Sequence, residues 1–133
     1  MTSPELTWLT YTVLLTACLW VPYILKLIAQ QGLIPALTDP SGARDFDAPW
    51  ATRALKAHSN AVENLVVFAP VSMMVGLLQL GNALTATVAM VFFFARLAHF
   101  VIYVTGIPYL RTISFAVGWA CTIIMALRLL NYV

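Results

Sequence analysis

Apolar residues run along this chain in four long stretches broken by short polar interruptions, and each stretch is long enough to form a helix that crosses a bilayer. The first covers about Glu5 to Gln30 and opens on Ser3-Pro4-Glu5, which supplies an N-cap, a first-turn proline and an acid at the positive helix end. It has no basic leader and is too long for a signal-peptide core, so it is expected to stay in the mature protein. The second runs from Ala48, with Asp47 as its cap, to Leu80. At about 1.5 Å per residue this exceeds a hydrocarbon layer of about 30 Å, so its polar first half is expected near the headgroups while Leu65 to Leu80 crosses. Pro70 is expected to kink it. The third covers Ala83 to Thr105, between Gly81-Asn82 and Gly106-Ile107-Pro108, and the fourth Leu110 to Tyr132. Gly32 to Asp47, rich in Pro, Gly and Asp, reads as the one substantial loop.

Residues 1–133 therefore read as a single all-α domain, an integral membrane four-helix bundle. Composition agrees: of 133 residues, 62% are hydrophobic and 9% charged, more apolar surface than a soluble domain of this size could hide. The net charge of +2 comes from scattered basic residues with no polybasic tail, which argues against a nucleic-acid partner. Cys18 and Cys121 lie within apolar runs and read as reduced, buried small hydrophobes.

Basic residues near membrane helices favour the cytoplasmic side. Lys26, Arg44, Arg53, Lys56 and Arg111 gather at the end shared by the long loop and the third-to-fourth connection, and only Arg128 lies toward the other end. Both termini are thus expected on the outer or lumenal face. The membrane itself is expected to be a bacterial inner membrane or a eukaryotic internal one.

The densest polar sequence in the apolar chain is Arg53 to Phe68, RALKAHSNAVENLVVF. Ionisable groups on a membrane helix are costly and usually face a bundle interior or a water-filled cavity, which makes this stretch a candidate site. At about 100° per residue, Arg53, Lys56, Asn60, Glu63 and Asn64 share one face, Ser59 lies at its edge and His58 points away, as an interfacial or subunit-contact residue. On the third helix Arg96, His99 and Tyr103 form a second stripe, and Arg111 and Thr112 open the fourth helix at the same depth. Several cations and one carboxylate in a low-dielectric cleft suit a ligand that carries carboxylates and an ammonium group, such as a zwitterionic peptide. The opposing reading is that Glu63 neutralises Arg53 or Lys56 while Arg96 reaches out to the interface.

Other chemistries find less support. His58, His99 and Glu63 lack the ligand spacing of a zinc or di-metal site, so no metal is expected. Ser59, Ser72 and Ser114 lack a His-Asp partnership at their depth, and no glycine-rich phosphate loop is present. A small multidrug-type transporter would need a carboxylate near the midplane, and Glu63 is too close to one end. Phe92-Phe93-Phe94 reads as a packing or lipid-facing surface.

The stretch RALKAHSNAVENLVVF resembles the second-helix signature of the membrane-associated proteins in eicosanoid and glutathione metabolism, the group that contains microsomal glutathione transferases, prostaglandin E synthase and leukotriene synthase. Arg96-Leu97-Ala98-His99 with Tyr103 looks like the third-helix pattern of the prostaglandin synthase and microsomal transferase branch, and Arg111-Thr112 stands where that branch has arginine and serine. The resemblance implies a homotrimer that binds glutathione between neighbouring subunits at the cytosolic end. It places Lys56 at a family arginine, Asn60 and Glu63 at the pair that holds the peptide, with Glu63 on its ammonium, and His99 and Tyr103 at third-helix contacts. It assigns Arg111 to stabilising the glutathione thiolate, with Thr112 as its hydroxyl neighbour and Tyr103 as a donor to the leaving group. Arg53 matches a basic residue with a supporting role.

The chain also departs from that pattern. Ser59 stands where the prostaglandin synthase has arginine, Ala61 replaces an acid, and a lysine at position 56 lacks the bidentate fork of arginine. These departures favour a broad glutathione transferase or peroxidase, acting on lipophilic electrophiles or hydroperoxides, over a narrow eicosanoid enzyme. The alternative from another class is a non-enzymatic lipid-binding scaffold of the same fold.

Overall fold

A computed structural model describes residues 3–133. Four long apolar rods form the bundle, but the first is built from two helices, α1 (Pro4–Cys18) and α2 (Val21–Gln31). The uninterrupted helix expected there breaks at Leu19-Trp20. Pro22 lies at the start of α2 and cannot donate the N–H that would continue α1, so α1 stops on its own cap bond, Leu19 N to Thr16 O at 3.3 Å. The expected cap at Ser3 is present, accepting from Leu6 N at 3.3 Å, with Pro4 in the first turn.

The expected loop also contains a short helix, α3 (Leu33–Thr38), started after Gly32. The rest of the segment is pinned to α2. Lys26 and Asp47 form a salt bridge at 2.6 Å, while Gln30 donates to Asp45 O and accepts from Asp47 N. Asp47 is therefore occupied, and it does not cap the next helix: α4 (Pro49–Leu77) starts from Ala48 with no side-chain cap, relying on Pro49. Out in the loop, the hydroxyl and backbone N–H of Ser41 both donate to Asp39 and hold its carboxyl below the ordinary range.

Helix α4 continues through Pro70 and stops at Leu77, short of the expected Leu80, because the chain turns at Leu78 to Asn82 with Gln79 at φ 55°. Asn82 and Thr85 then exchange side-chain and backbone bonds in a capping box that starts α5 (Ala83–Thr105). Gly106, left-handed at φ 85°, ends α5, and Pro108 starts α6 (Pro108–Leu129).

Packing is closest between α5 and α6, and α4 touches α1, α5 and α6. The bundle centre is made by Leu9, Phe68, Val75, Val88, Phe92, Cys121 and Met125. Phe68 and Phe92 stack face to face with ring centroids 3.6 Å apart, joining α4 to α5. Toward the basic end, Ala51, Ala54, Ala57 and Ala61 form the buried ridge of α4 and let its neighbours approach. Cys121 is buried as expected, whereas Cys18 is exposed: at the end of α1 its neighbours Thr16 and Leu19 take the buried face and Cys18 lies on the outer one.

Removing the Phe68 ring leaves a hole against Phe92 at the bundle centre. Phe68→Ala is expected to cost about 3–5 kcal/mol and to lower the thermal unfolding midpoint of the detergent-solubilised protein, with helix content retained below the transition.

Candidate functional site

The polar stripe of α4 lies beside its alanine ridge, so its members point to different places. Asn60 and Asn64 are half-buried toward α5 and α6, whereas Lys56, Ser59 and Glu63 are exposed. Arg53 turns back along the bundle, donates from Nε to Val104 O at 2.9 Å and lies against Gly106, which ties α4 to the end of α5. His58 is off the main face as expected, and its partner is within the chain: Tyr23 OH lies 2.8 Å from His58 Nδ1.

The centre of the site is a residue for which the sequence offered two fates. Arg96 does not reach out to the interface. Its residue is only 2% exposed, and its guanidinium is inserted between α4 and α6. Nη2 donates to Ser114 O at 3.0 Å and Phe115 O at 3.4 Å, Nη1 reaches Asn60 Oδ1 at 3.5 Å, and Nε has no partner. The Phe92 and Phe115 rings lie 5.5 and 5.9 Å from its Cζ. Gly118 makes the insertion possible, since a Cβ there would lie 2.8 Å from Cζ. Among the described residues the salt bridge found is Lys26 with Asp47, so Arg96 has no carboxylate beside it.

One turn closer to the basic end, His99 Nδ1 lies 3.2 Å from both Arg111 O and Ser114 Oγ. Ser114 already donates to Arg111 O at 2.9 Å, an arrangement that favours the Nδ1–H tautomer and leaves Nε2 as a bare acceptor. Tyr103 packs edge-on to His99 with centroids 5.6 Å apart, and the Arg111 guanidinium covers the Tyr103 ring at 4.6 Å. Among the described residues Arg111 makes no side-chain hydrogen bond, so its N–H donors are available to a ligand.

These groups enclose a cavity of about 180 Å³ bounded by Asn60, His99, Tyr103, Arg111, Thr112 and Phe115. A second cavity of about 360 Å³ adjoins it through Asn60 and Phe115 and is lined further by Glu63, Asn64, Val67, Trp119 and Thr122. Ligand pockets run roughly 300–1,000 Å³, so a peptide-sized ligand would need both. Of the residues expected at the site, Asn60, His99, Tyr103, Arg111 and Thr112 converge and Glu63 lines the adjoining cavity. Arg53 and Lys56 line neither.

The profile of the MAPEG family matches residues 6–131, nearly the whole chain. The chain belongs to the MAPEG family. No curated protein matches the sequence. The family assignment covers all four membrane rods, and it is compatible with glutathione-related or lipid-metabolism roles. Within this MAPEG chain, Ser114, Phe115, Gly118 and Trp119 were not picked out as site residues from sequence. The signal was present, because Arg111, Phe115, Gly118 and Thr122 follow helical spacing along one face of α6.

A methyl group on Gly118 would displace the Arg96 guanidinium. Gly118→Ala is expected to cost about 1–3 kcal/mol in thermal or denaturant unfolding. Arg96→Met in the same chain should recover part of that loss, and a double-mutant cycle with no coupling would contradict the contact.

Proposed function

We propose that the cleft binds glutathione and activates its thiol for attack on lipophilic electrophiles or hydroperoxides, which makes the protein a membrane-bound glutathione transferase or peroxidase. One observation carries the reading: the Arg111 guanidinium lines a cleft with no carboxylate paired to it, and behind the Asn60 wall of that cleft the buried Arg96 guanidinium is likewise unpaired. An unopposed pair of cations in a low-dielectric setting calls for an anionic ligand. Glu63, which lines the adjoining cavity, suits the ammonium group of the same peptide. Asn60 stands between the two as an amide that can donate and accept.

Arg111 lies in the first turns of α6, where the positive end of the helix dipole adds to its own charge. A thiol sulfur placed there would accept from the free N–H groups of Arg111, and Thr112 offers a hydroxyl beside it. Both favour thiolate over thiol, and the proton leaves to water at the open end. The sulfur lone pair then forms the new bond to the electrophile, whose leaving group departs with the bonding electrons. With a hydroperoxide, the thiolate attacks the terminal oxygen and the O–O bond breaks, releasing an alkoxide that is protonated to the alcohol and leaving glutathione sulfenic acid; the thiol of a second glutathione then displaces the sulfenic hydroxyl as water to give the disulfide. The exposed rings of Tyr109 and Trp119 and the apolar flank of α6 suit a second substrate that arrives from the bilayer.

The open side of this cleft supports assembly as a homotrimer. Glu63 and Lys56 are exposed on a face that also carries exposed Val62, Val66 and Val67. Lipid would be a poor cover for those charges, whereas a neighbouring subunit could satisfy them. The positive-inside bias places the basic end in the cytosol, where glutathione would reach the cleft.

Free thiols titrate near 8.5, so thiolate at neutral pH requires about 1.4–2.7 kcal/mol of preferential stabilisation for a shift of one to two units. Arg111→Leu is expected to keep measurable glutathione binding by calorimetry, lose the thiolate absorbance near neutral pH and lower turnover of a lipophilic aryl halide or hydroperoxide at least about tenfold. Thr112→Ala should move both in the same direction by less. Wild-type protein that binds glutathione without turnover would favour the scaffold alternative.

Glu63→Gln should weaken glutathione binding roughly ten- to a hundredfold with the trimer intact, as expected for loss of one charge-assisted contact. Native mass spectrometry should give a trimer, and a cysteine introduced at Val133 should resist membrane-impermeant labelling from the cytosolic side. A stable monomer, or cytosolic labelling, would contradict this arrangement.

A further inference from the structure

Asn60 stands where the two cavities meet, and its neighbours decide which half of its amide a ligand finds there. One turn along α4, Asn64 Nδ2 donates to the backbone oxygen of Asn60 at 2.8 Å. A backbone oxygen only accepts, so this bond sets the orientation of the Asn64 amide. The same Nδ2 lies 3.3 Å from Asn60 Oδ1, and Arg96 Nη1 reaches that oxygen from α5 at 3.5 Å. A guanidinium only donates. Turning the Asn60 amide over would set its NH2 against two N–H donors, one of them a buried cation, with no acceptor gained in exchange.

The acceptor half of Asn60 is therefore occupied, and the donor half is free. Asn60 Nδ2 has no partner among the described residues, and it is not sealed in. The sealed side-chain polar atoms without a partner are Glu5 Oε2, Ser72 Oγ, Arg96 Nε and His99 Nε2. An isolated amide can donate and accept; held in this way, it offers N–H groups alone.

We propose that Asn64 and Arg96 are positioning residues that hold Asn60 as a hydrogen-bond donor, so that the cleft selects a ligand with a carboxylate or peptide carbonyl oxygen at the junction of the two cavities. The identity of that ligand rests on the glutathione reading, whereas the orientation of the amide does not. Arg111 adds donors in the smaller cavity and Glu63 places acceptors in the larger. An ammonium group is thereby turned away from the junction and left to Glu63, which sets the direction in which a zwitterionic peptide lies across the cleft.

The asparagines of the chain are Asn60, Asn64, Asn82 and Asn131, few enough for asparagine-selective 15N labelling of the full detergent-solubilised protein to resolve each side-chain amide. Asn60→Asp and Asn64→Leu give the assignments. Without ligand, the Asn64 amide protons are expected to exchange with solvent at least about tenfold more slowly than those of Asn60. Equal rates, or faster exchange at Asn64, overturn the proposal whether or not glutathione binds. Added glutathione should slow exchange at Asn60, and binding without that protection also overturns it. In calorimetric titration with glutathione, Asn60→Asp keeps an acceptor for Arg96 and Asn64 but replaces the NH2 by oxygen, and should lose at least about tenfold in affinity. Retained affinity would mean that the ligand donates to Asn60, against the proposal. Asn64→Leu should weaken binding in the wild-type background and add nothing to Asn60→Ala, because it acts through Asn60. Additive losses would make Asn64 a direct contact and overturn its positioning role. Wild-type protein that shows the exchange contrast but binds no glutathione counts against glutathione as the ligand and for the positioned donor. The wild-type exchange rates carry the test if a variant fails to assemble.

Discussion

A buried guanidinium must find acceptors, and the way Arg96 finds them organises the basic half of this bundle. In a hydrocarbon setting an unpaired cation costs several kcal/mol, and no acid is placed beside it. It is held by carbonyl oxygens of α6, each of which keeps a second lone pair beyond its helical bond, and by the faces of two phenylalanines. That solution requires α6 to come within side-chain reach of α5 at one level, which Gly118 permits and an alanine would not. The same contact sets the rotation of α6 that places Arg111, Thr112 and Phe115 around the cleft. Because the guanidinium is satisfied by neutral groups, its charge is not cancelled, and the cleft keeps a positive field that a ligand can use.

Charges on the other elements are arranged so that they do not compete with that field. Lys26 is paired with Asp47 out at the loop, Arg53 ties the end of α5, and Arg128 holds the α4–α5 turn and the C-terminus. Of the acids, Asp39 is bound by Ser41, Asp47 pairs with Lys26, Glu5 is sealed at the opposite end, and Glu63 lines the adjoining cavity without an ion pair to either guanidinium. The bundle thus has a positive cleft at one end and a buried carboxyl at the other. The Phe68–Phe92 stack and the aliphatic core separate the two.

The family profile and the polar convergence support each other without being the same observation. Of the residues that the resemblance implied for the site, the fold brings Asn60, His99, Tyr103, Arg111 and Thr112 around the smaller cavity. Arg53 and Lys56 share the face of α4 with Asn60 in projection, yet neither reaches the cleft. A helical wheel reports angle and ignores the crossing of helices. By the level of Arg53, α4 faces the end of α5, where an unsatisfied carbonyl at Val104 is a nearer partner than any ligand.

The sequence by itself determined the class of protein, the number of membrane rods and most of their ends. Hydropathy is an additive property of a segment, and caps such as Ser3, Asn82 and Gly106 act through bonds only a few residues long. It also placed five of the residues that line the smaller cavity, because helical spacing carries side chains to a common face. Only the tertiary structure decided the fate of groups whose partners come from other helices. Arg96 could have pointed inward or to the interface until Gly118 and the α6 carbonyls were in position. Glu5 read as an ordinary first-turn acid until Thr85 and the Gly81 turn closed around it. The break at Leu19-Trp20 was hidden for a different reason: Pro22 lies in a run whose hydropathy is unaffected by it, and hydropathy does not register a missing N–H.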